Sequence, residues 1–402
     1  MTIPAWLRLD PNARLEPFAR ALVWISFALM AVGVLMVYSA SATKAGMEQG
    51  SPTYFLVRQI IWAVAGVGIV FVAMRVRPAT LRRLATPALV VVIVLLAVVL
   101  FAGPLVNGAR RWLRFGPLSF QPSEAAKLVL IVWLSCHLTR HRDRLTEWRK
   151  GVWPPVLVVG LVLLLVMREP DLGTTLFLGA LSAALLLVGG IPIRKLCLAS
   201  LPAVPLLVHH VAGRWEVIQR RFAVLGDGDG GGNAVYQVEQ ALVAFGSGGW
   251  AGRGIGAGGQ KLFFLPEAHT DFILPVLGEE LGFLGTASVV LLFMAFVACG
   301  LRIAIGAAQR DRFSCLLVFG LVFHVGLQAA GNIAVVTGSV PTKGIALPFI
   351  SLGGSSLVVL CASVGLLYSV ATALDGKRTA QPLASHGAHS GLPLGTPSGG
   401  VA

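Results

Sequence analysis

Charge is what this sequence has least of. Asp, Glu, Lys and Arg together make up 12% of its 402 residues, about half of the roughly 25% found in a soluble domain. Acidic residues are the scarcer kind, 18 against 32 basic ones, which leaves a formal net charge of +14. The missing charge thins out apolar runs such as 88–100 and 156–167. Runs of this kind suit hydrocarbon, because a helix satisfies its own backbone hydrogen bonds where water is absent. Nucleic acid is not expected as a partner, since no basic face interleaved with aromatics is present. Cysteine is also sparse: Cys136, Cys197, Cys299, Cys315 and Cys361 fall in or beside apolar runs, with no CxxC or Cys/His spacing. They read as small buried thiols, and neither a disulfide framework nor a metal site is expected. A cleavable signal peptide is missing too, because the first apolar run, 18–42, is too long for one and reads as a retained span.

What is there is a succession of apolar segments near 18–41, 57–76, 87–102, 123–139, 153–168, 172–190, 196–212, 272–301, 313–335 and 353–374. They predict an all-α polytopic integral membrane protein of about ten transmembrane helices, with 18–374 as the membrane domain. Residues 1–17 form a cytoplasmic tail. The tail 375–402, rich in Gly, Ser, Pro, Ala and His, is expected to be disordered and cytoplasmic. With both ends inside, nineteen of the 32 basic residues fall in the tails and in the second-third, fourth-fifth, sixth-seventh and eighth-ninth loops. That distribution obeys the positive-inside rule.

Two outer segments are long: 103–122, and 213–271 between the seventh and eighth spans. A loop of the second length is either functional or disordered, and its GDGDGGGN run, 226–233, reads as a flexible hinge. The thirteen remaining basic residues break the orientation rule. Among them Arg110, Arg111, Arg114, Arg214, Arg220, Arg221, Arg253, Lys261 and Lys343 lie in outer segments. Each alone reads as solvated loop charge; together they suggest a surface for an anionic group, for which Arg and Lys suit phosphate.

Charged residues within or beside spans are functional candidates by default. Glu124 and Lys127, at i, i+3, form either an internal ion pair or a substrate contact. Asp171 reads as the cap of the sixth helix. The stretch Leu265-Pro266-Glu267-Ala268-His269-Thr270-Asp271-Phe272 closes the large outer loop. Asp271 or Thr270 is there an N-cap, or Asp271 is a general base at the membrane surface. Glu279 and Glu280 follow roughly 12 Å further along a helix, and as adjacent residues they face different ways rather than forming a dyad. Gly254, Gly256 and Gly259 match a dinucleotide-binding pattern without its strand, and so read as a compact loop. Asp227 and Asp229 start no calcium loop, since position twelve is Val238. The segment 341–356, PTKGIALPFISLGGSS, breaks helix continuity at membrane depth and reads as a re-entrant cavity wall, with Ser355 as a candidate substrate contact. Close small-residue helix packing at 353–356 is the alternative.

Nine stretches, in order from Met36 to Leu366, resemble the SEDS family of shape, elongation, division and sporulation proteins. They are MVYSAS (36–41), GARRW (108–112), QPSE with Lys127, PDLGT (170–174), Tyr236-Gln237, the glycine-rich 248–256, LPEAHTDF, Glu279-Glu280-Leu281-Gly282 and the PTKG segment. Lys343 within PTKG resembles the division branch more than the elongation branch, which stays an alternative. Glu169 stands where the family commonly has Gln, and Leu352 where it has Tyr. The resemblance implies a glycosyltransferase that polymerises lipid II, the undecaprenyl-pyrophosphate-linked substrate of peptidoglycan synthesis, at the outer face of the cytoplasmic (inner) membrane and at the division septum. It implies Asp271 as the catalytic residue, with Arg110, Arg111, Glu124, Lys127, Arg220, Arg221, Lys343 and Ser355 as substrate contacts. A divalent cation is left open. The implied partners are a class B penicillin-binding protein transpeptidase and other divisome membrane proteins. A lipid II flippase, with polar groups along the bilayer depth, and a non-catalytic divisome scaffold are the competing readings.

Overall fold

The computed structural model describes residues 14–380 except 107, 117, 206–207, 209–211, 214–218, 220–231, 262–267 and 342–343. Its helices are α1 (Glu16–Gln49), α2 (Tyr54–Ala73), α3 (Pro78–Ala102), α4 (Pro122–Arg140), α5 (Trp153–Arg168), α6 (Leu172–Val188), α7 (Ile193–Ser200), α8 (Gly232–Gly248), α9 (Ile273–Ala308), α10 (Arg312–Val336) and α11 (Gly354–Ala380). Among the described residues seven are long and apolar enough to cross a membrane: α1, α2, α3, α5, α9, α10 and α11. That is fewer than the ten expected. The α6 helix is apolar but has 17 residues, and α4 is diluted by Glu124, Lys127 and His137, all buried against its neighbours. The seventh expected span, 196–212, begins within α7 and lies partly outside the described residues.

The two long segments expected on the outer side differ from the sequence expectation. The first carries a hairpin, β1 (Leu113–Phe115) paired antiparallel with β2 (Leu118–Phe120), so the fold is not purely α. The second carries α8, which begins at Gly232 inside the stretch expected to be a hinge; residues 226–231 lie outside the described residues. Its helix follows from a stripe of buried Val238, Ala241 and Ala244, which repeats every three residues on one face.

Packing is that of a bundle in hydrocarbon. Leu22, Leu29, Met36, Phe296, Phe313 and Phe349 are fully enclosed between α1, α9, α10, α11 and the 344–353 segment. A second core joins α3, α4, α5 and α6 through Leu96, Leu130, Val162 and Leu185. Large apolar side chains such as Val64, Phe71, Val94 and Leu157 point outward, where only lipid would meet them without cost.

Basic helix ends gather at one end of this bundle. Arg82 pairs with Asp311 at 2.7 Å, and Asp311 also caps α10 through the Ser314 amide. Arg312 donates to the Gly189 carbonyl at the end of α6. Asp375 of α11 accepts from the amides of Leu15 and Glu16 at 2.8 and 2.9 Å, and from Arg310 at 3.0 Å. One carboxylate thus caps the first helix from the last. Replacing Asp375 with Ala leaves those amides and Arg310 without it, at a cost of about 1–2 kcal/mol. Thermal unfolding of the purified variant in detergent should begin at lower temperature; an unchanged midpoint would contradict the capping role.

Candidate active site

Asp271 stands two residues ahead of Ile273, the first residue of α9, and the cap position itself falls to Phe272. Neither Asp271 nor Thr270 is therefore the N-cap. Side chains of α10 hold the surrounding backbone in place. Asn332 Nδ2 donates to the Asp271 carbonyl at 2.8 Å and to that of Ile345 at 2.6 Å. Gln328 Nε2 donates to the Ala346 carbonyl at 2.9 Å. The irregular segment 344–353 is thereby tied to Asp271 through α10. Gly344 lies hard against the carboxylate: a Cβ there would come within 2.6 Å of Asp271 Oδ2. Phe349, buried in the same segment, has a left-handed backbone (φ 64°), a costly conformation that only firm packing sustains. His269, beside Asp271, is buried with its ring 4.8 Å from that of Phe55. Its carbonyl accepts from the Leu352 amide at 3.1 Å, a backbone tie indifferent to the side chain at 352.

Behind Asp271, α9 breaks at Gly282, whose φ of 69° no helix contains. The break frees the carbonyls of Glu279 and Glu280, and the amides of Arg253 and Gly254 take them up at 3.0 Å each. The two carboxylates take different partners, yet both lie against Gly258, where a Cβ would come within 2.9 Å of Glu279 Oε2 and 3.2 Å of Glu280 Oε1. The expectation that they face different ways does not hold. Glu279 accepts from the amides of Gly259 and Gln260 at 2.8 and 3.1 Å. Glu280, fully buried, meets Lys261 Nζ at 2.6 Å and the Ser39 hydroxyl of α1. The glycine-rich run is thus a compact loop stitched onto α9.

Among the described residues, the cations counted in the sequence do not form one surface. Lys261 is buried and neutralised by Glu280, which removes it from any anion site. Lys127 is buried 2.7 Å from Glu124 as an internal pair, with its ammonium 4.9 Å from the Phe177 ring centre. Arg111 directs its guanidinium to the carbonyls of Glu169 and Pro170 and lies 3.9 Å from Asp171. Asp171 caps α6 through the Thr174 amide, as expected. Arg110 is exposed and donates to the Phe101 carbonyl. The Ser355 hydroxyl donates to the Ser119 carbonyl and accepts from the Gln121 amide, fastening α11 to the start of α4. Arg220, Arg221 and Lys343 lie outside the described residues, although Lys343 immediately precedes Gly344. Among the described residues no group of three His, Cys, Asp or Glu side chains is placed to hold a metal.

Two features escaped the sequence. First, polar groups extend inward from the site: His324, Gln328 and Asn332 occupy one face of α10 at intervals of four and are buried. Both His324 nitrogens, Gln328 Oε1, Asn332 Oδ1 and Glu124 Oε2 lack a hydrogen-bond partner. Such atoms call for water or a ligand. Second, Glu169 in the α5–α6 turn is wholly buried with neither carboxyl oxygen bonded. Burial, reinforced by Asp171 and opposed by Arg111, pushes its pKa up to about 8. A value so raised favours the protonated acid at neutral pH.

Residues 20–375 match the sequence profile of the FtsW/RodA/SpoVE cell cycle proteins. The chain belongs to that family. It is 38% identical over 364 residues to the probable peptidoglycan glycosyltransferase FtsW of Geobacter sulfurreducens, covering 90% of this chain and 97% of that protein. It is 39% identical over 367 residues to the protein of the same name in Geobacter metallireducens, covering 90% and 96%. Among solved structures, the FtsW/RodA/SpoVE fold recurs in a chain of a peptidoglycan synthase complex that coordinates polymerization and crosslinking. The two share 30% identity and a TM-score of 0.68, over 88% of this chain and 97% of that one. The rod shape determining protein RodA of Thermus thermophilus is similar at 27% identity and a TM-score of 0.64, over 92% and 99%. The FtsW names of the relatives overturn the elongation-type alternative.

Two outcomes follow. Lys261→Met leaves Glu280 buried without its cation and should destabilise the protein by roughly 3–5 kcal/mol. Lys261→Met combined with Glu280→Gln should lose distinctly less, and a double variant as unstable as the sum of both singles would refute the pairing. Glu169, whose carboxyl titrates near 4.5 when unperturbed and near 8 here, contributes stability that is complete below the first value and lost as pH rises through the second. Unfolding midpoints across pH 4 to 9 should therefore decline less in Glu169→Gln, which carries no ionisable group. Parallel profiles for the two proteins would show that Glu169 is not the titrating residue.

Proposed function

We propose that this protein polymerises lipid II into glycan strands on the outer face of the cytoplasmic membrane during cell division. The placing of Asp271 carries the reading: its backbone is fixed by Asn332, and Gly344 lies close against its carboxylate. Family membership and the glycosyltransferase names of the relatives support it. In the proposed step a carboxylate oxygen of Asp271 takes the proton of the acceptor GlcNAc 4-hydroxyl as that oxygen attacks the anomeric carbon of the donor MurNAc. The bond from that carbon to the pyrophosphate breaks, and undecaprenyl pyrophosphate leaves. Stabilising the departing charge is a large part of the task. Lys343, next to Gly344, is the first choice for it, with Arg220 and Arg221 behind. The pairings of Lys127 and Arg111 make them positioning groups instead. The topology that goes with this chemistry has ten spans with both ends cytoplasmic and Asp271 outside. The partner is a class B penicillin-binding protein that crosslinks the product, in keeping with the synthase complex of similar fold.

One observation favours a second reading. The polar face from Asn332 to His324 spans eight residues of α10, about 12 Å of bilayer depth, and a lipid II flippase needs polar groups at depth. A polymerisation assay with labelled lipid II, with and without the partner, separates the two. Asp271→Asn should lower the rate about 10²–10⁴-fold, the range for a general base. Polymerisation at the wild-type rate would refute the assignment. Translocation of lipid II without polymerisation by the wild type would establish the flippase.

A further inference from the structure

A cavity with several polar groups set in a mostly apolar lining lies beside Glu279 of α9, and the chemistry at Asp271 makes no use of it. Its volume is about 450 Å3, and its walls include Tyr236, Gln240 and Ser247 of α8, Arg253 and Gln260 of the glycine-rich loop, and Glu279 of α9. Small-ligand sites run from about 300 to 1,000 Å3, so the space suits a compact ligand.

The lining defines the chemistry of that ligand. Arg253 Nη1 lies 3.6 Å from Glu279 Oε1, so one cation and one carboxylate offset each other. Pyrophosphate, which needs uncompensated donors, is therefore a poor fit. The remaining polar groups are hydroxyls and primary amides, which both donate and accept. Gln260 Oε1 is buried without a partner, an acceptor that a ligand hydroxyl would satisfy. Tyr236 is 40% exposed and offers an aromatic ring edged by a hydroxyl. Neutral, hydroxyl-rich and partly flat describes a sugar. The walls are also fixed in advance: the amides of Arg253 and Gly254 are held by α9 carbonyls, and Lys261 anchors the end of the loop to Glu280. Little ordering remains to be done on binding.

Position adds a role. Glu279 follows Asp271 by eight residues, about 12 Å along a helix, a separation that a short saccharide is long enough to bridge. We propose that the cavity is a carbohydrate subsite that holds the glycan strand beyond the reacting sugars and thereby governs strand length. This rests on the glycosyltransferase reading above.

The test uses full-length protein in detergent and a labelled, lipid-free tetrasaccharide of alternating N-acetylglucosamine and N-acetylmuramic acid whose lactyl carboxyl groups are capped as amides, so that the probe is neutral. Binding needs no catalysis, so Asp271→Asn protein serves alongside the wild type. Tyr236→Ala and Gln240→Ala should each weaken tetrasaccharide binding about tenfold, equivalent to roughly 1.4 kcal/mol, and shorten the glycan made from lipid II. Tyr236→Trp keeps an aromatic face and should retain binding. Glu239→Ala, exposed on the same helix but outside the cavity lining, should leave both readouts unchanged. Wild-type affinity in both the Tyr236→Ala and Gln240→Ala proteins, or no tetrasaccharide binding by the wild type, overturns the proposal. A wild type that binds the tetrasaccharide through Tyr236 and Gln240 yet makes no polymer upholds the subsite and refutes the glycosyltransferase reading.

Discussion

The Asp271 end of the molecule depends on one buried ion pair, Lys261 with Glu280, completed by the Ser39 hydroxyl. A lone carboxylate at that depth would cost several kcal/mol, and so would a lone ammonium. Together they join α1, α9 and the glycine-rich loop at a single point. The break at Gly282 makes the same join in the backbone, because carbonyls that a continuous helix would use internally are taken by loop amides. The loop is therefore held to α9 both through its backbone and through Lys261. From the other side, Asn332 and Gly344 confine the aspartate.

Much of the helix pattern was legible because hydrophobic runs report directly on hydrocarbon. The α5–α6 turn at 169–171 and the Asp171 cap followed from three residues between two apolar runs. The α8 helix was hidden, since its buried stripe consists of the small residues Val238, Ala241 and Ala244 among glycines that read as loop. The β1–β2 hairpin was hidden too: strands of three residues are too short for alternation to register.

The candidate site was legible only in part. Asp271 and the Glu124–Lys127 pair were visible as charges out of place, and charges announce themselves against an apolar background. Counting Lys261 among the free cations failed because its partner is 19 residues away in sequence, and sequence separation says nothing about neutralisation in space. The uncharged members of the site, Asn332, Gln328 and His324, gave no such signal inside an apolar helix.

Asp375 bears on the order in which the molecule is assembled. Its carboxylate caps the start of α1, yet it lies 360 residues later in the chain. During synthesis, which proceeds from the N-terminus, α1 is inserted long before its cap exists. The first helix therefore waits, with frayed amides at its head, until the last one arrives. Closure of the bundle is a late event, and a chain interrupted before α11 would be left open at the end where its basic loops gather.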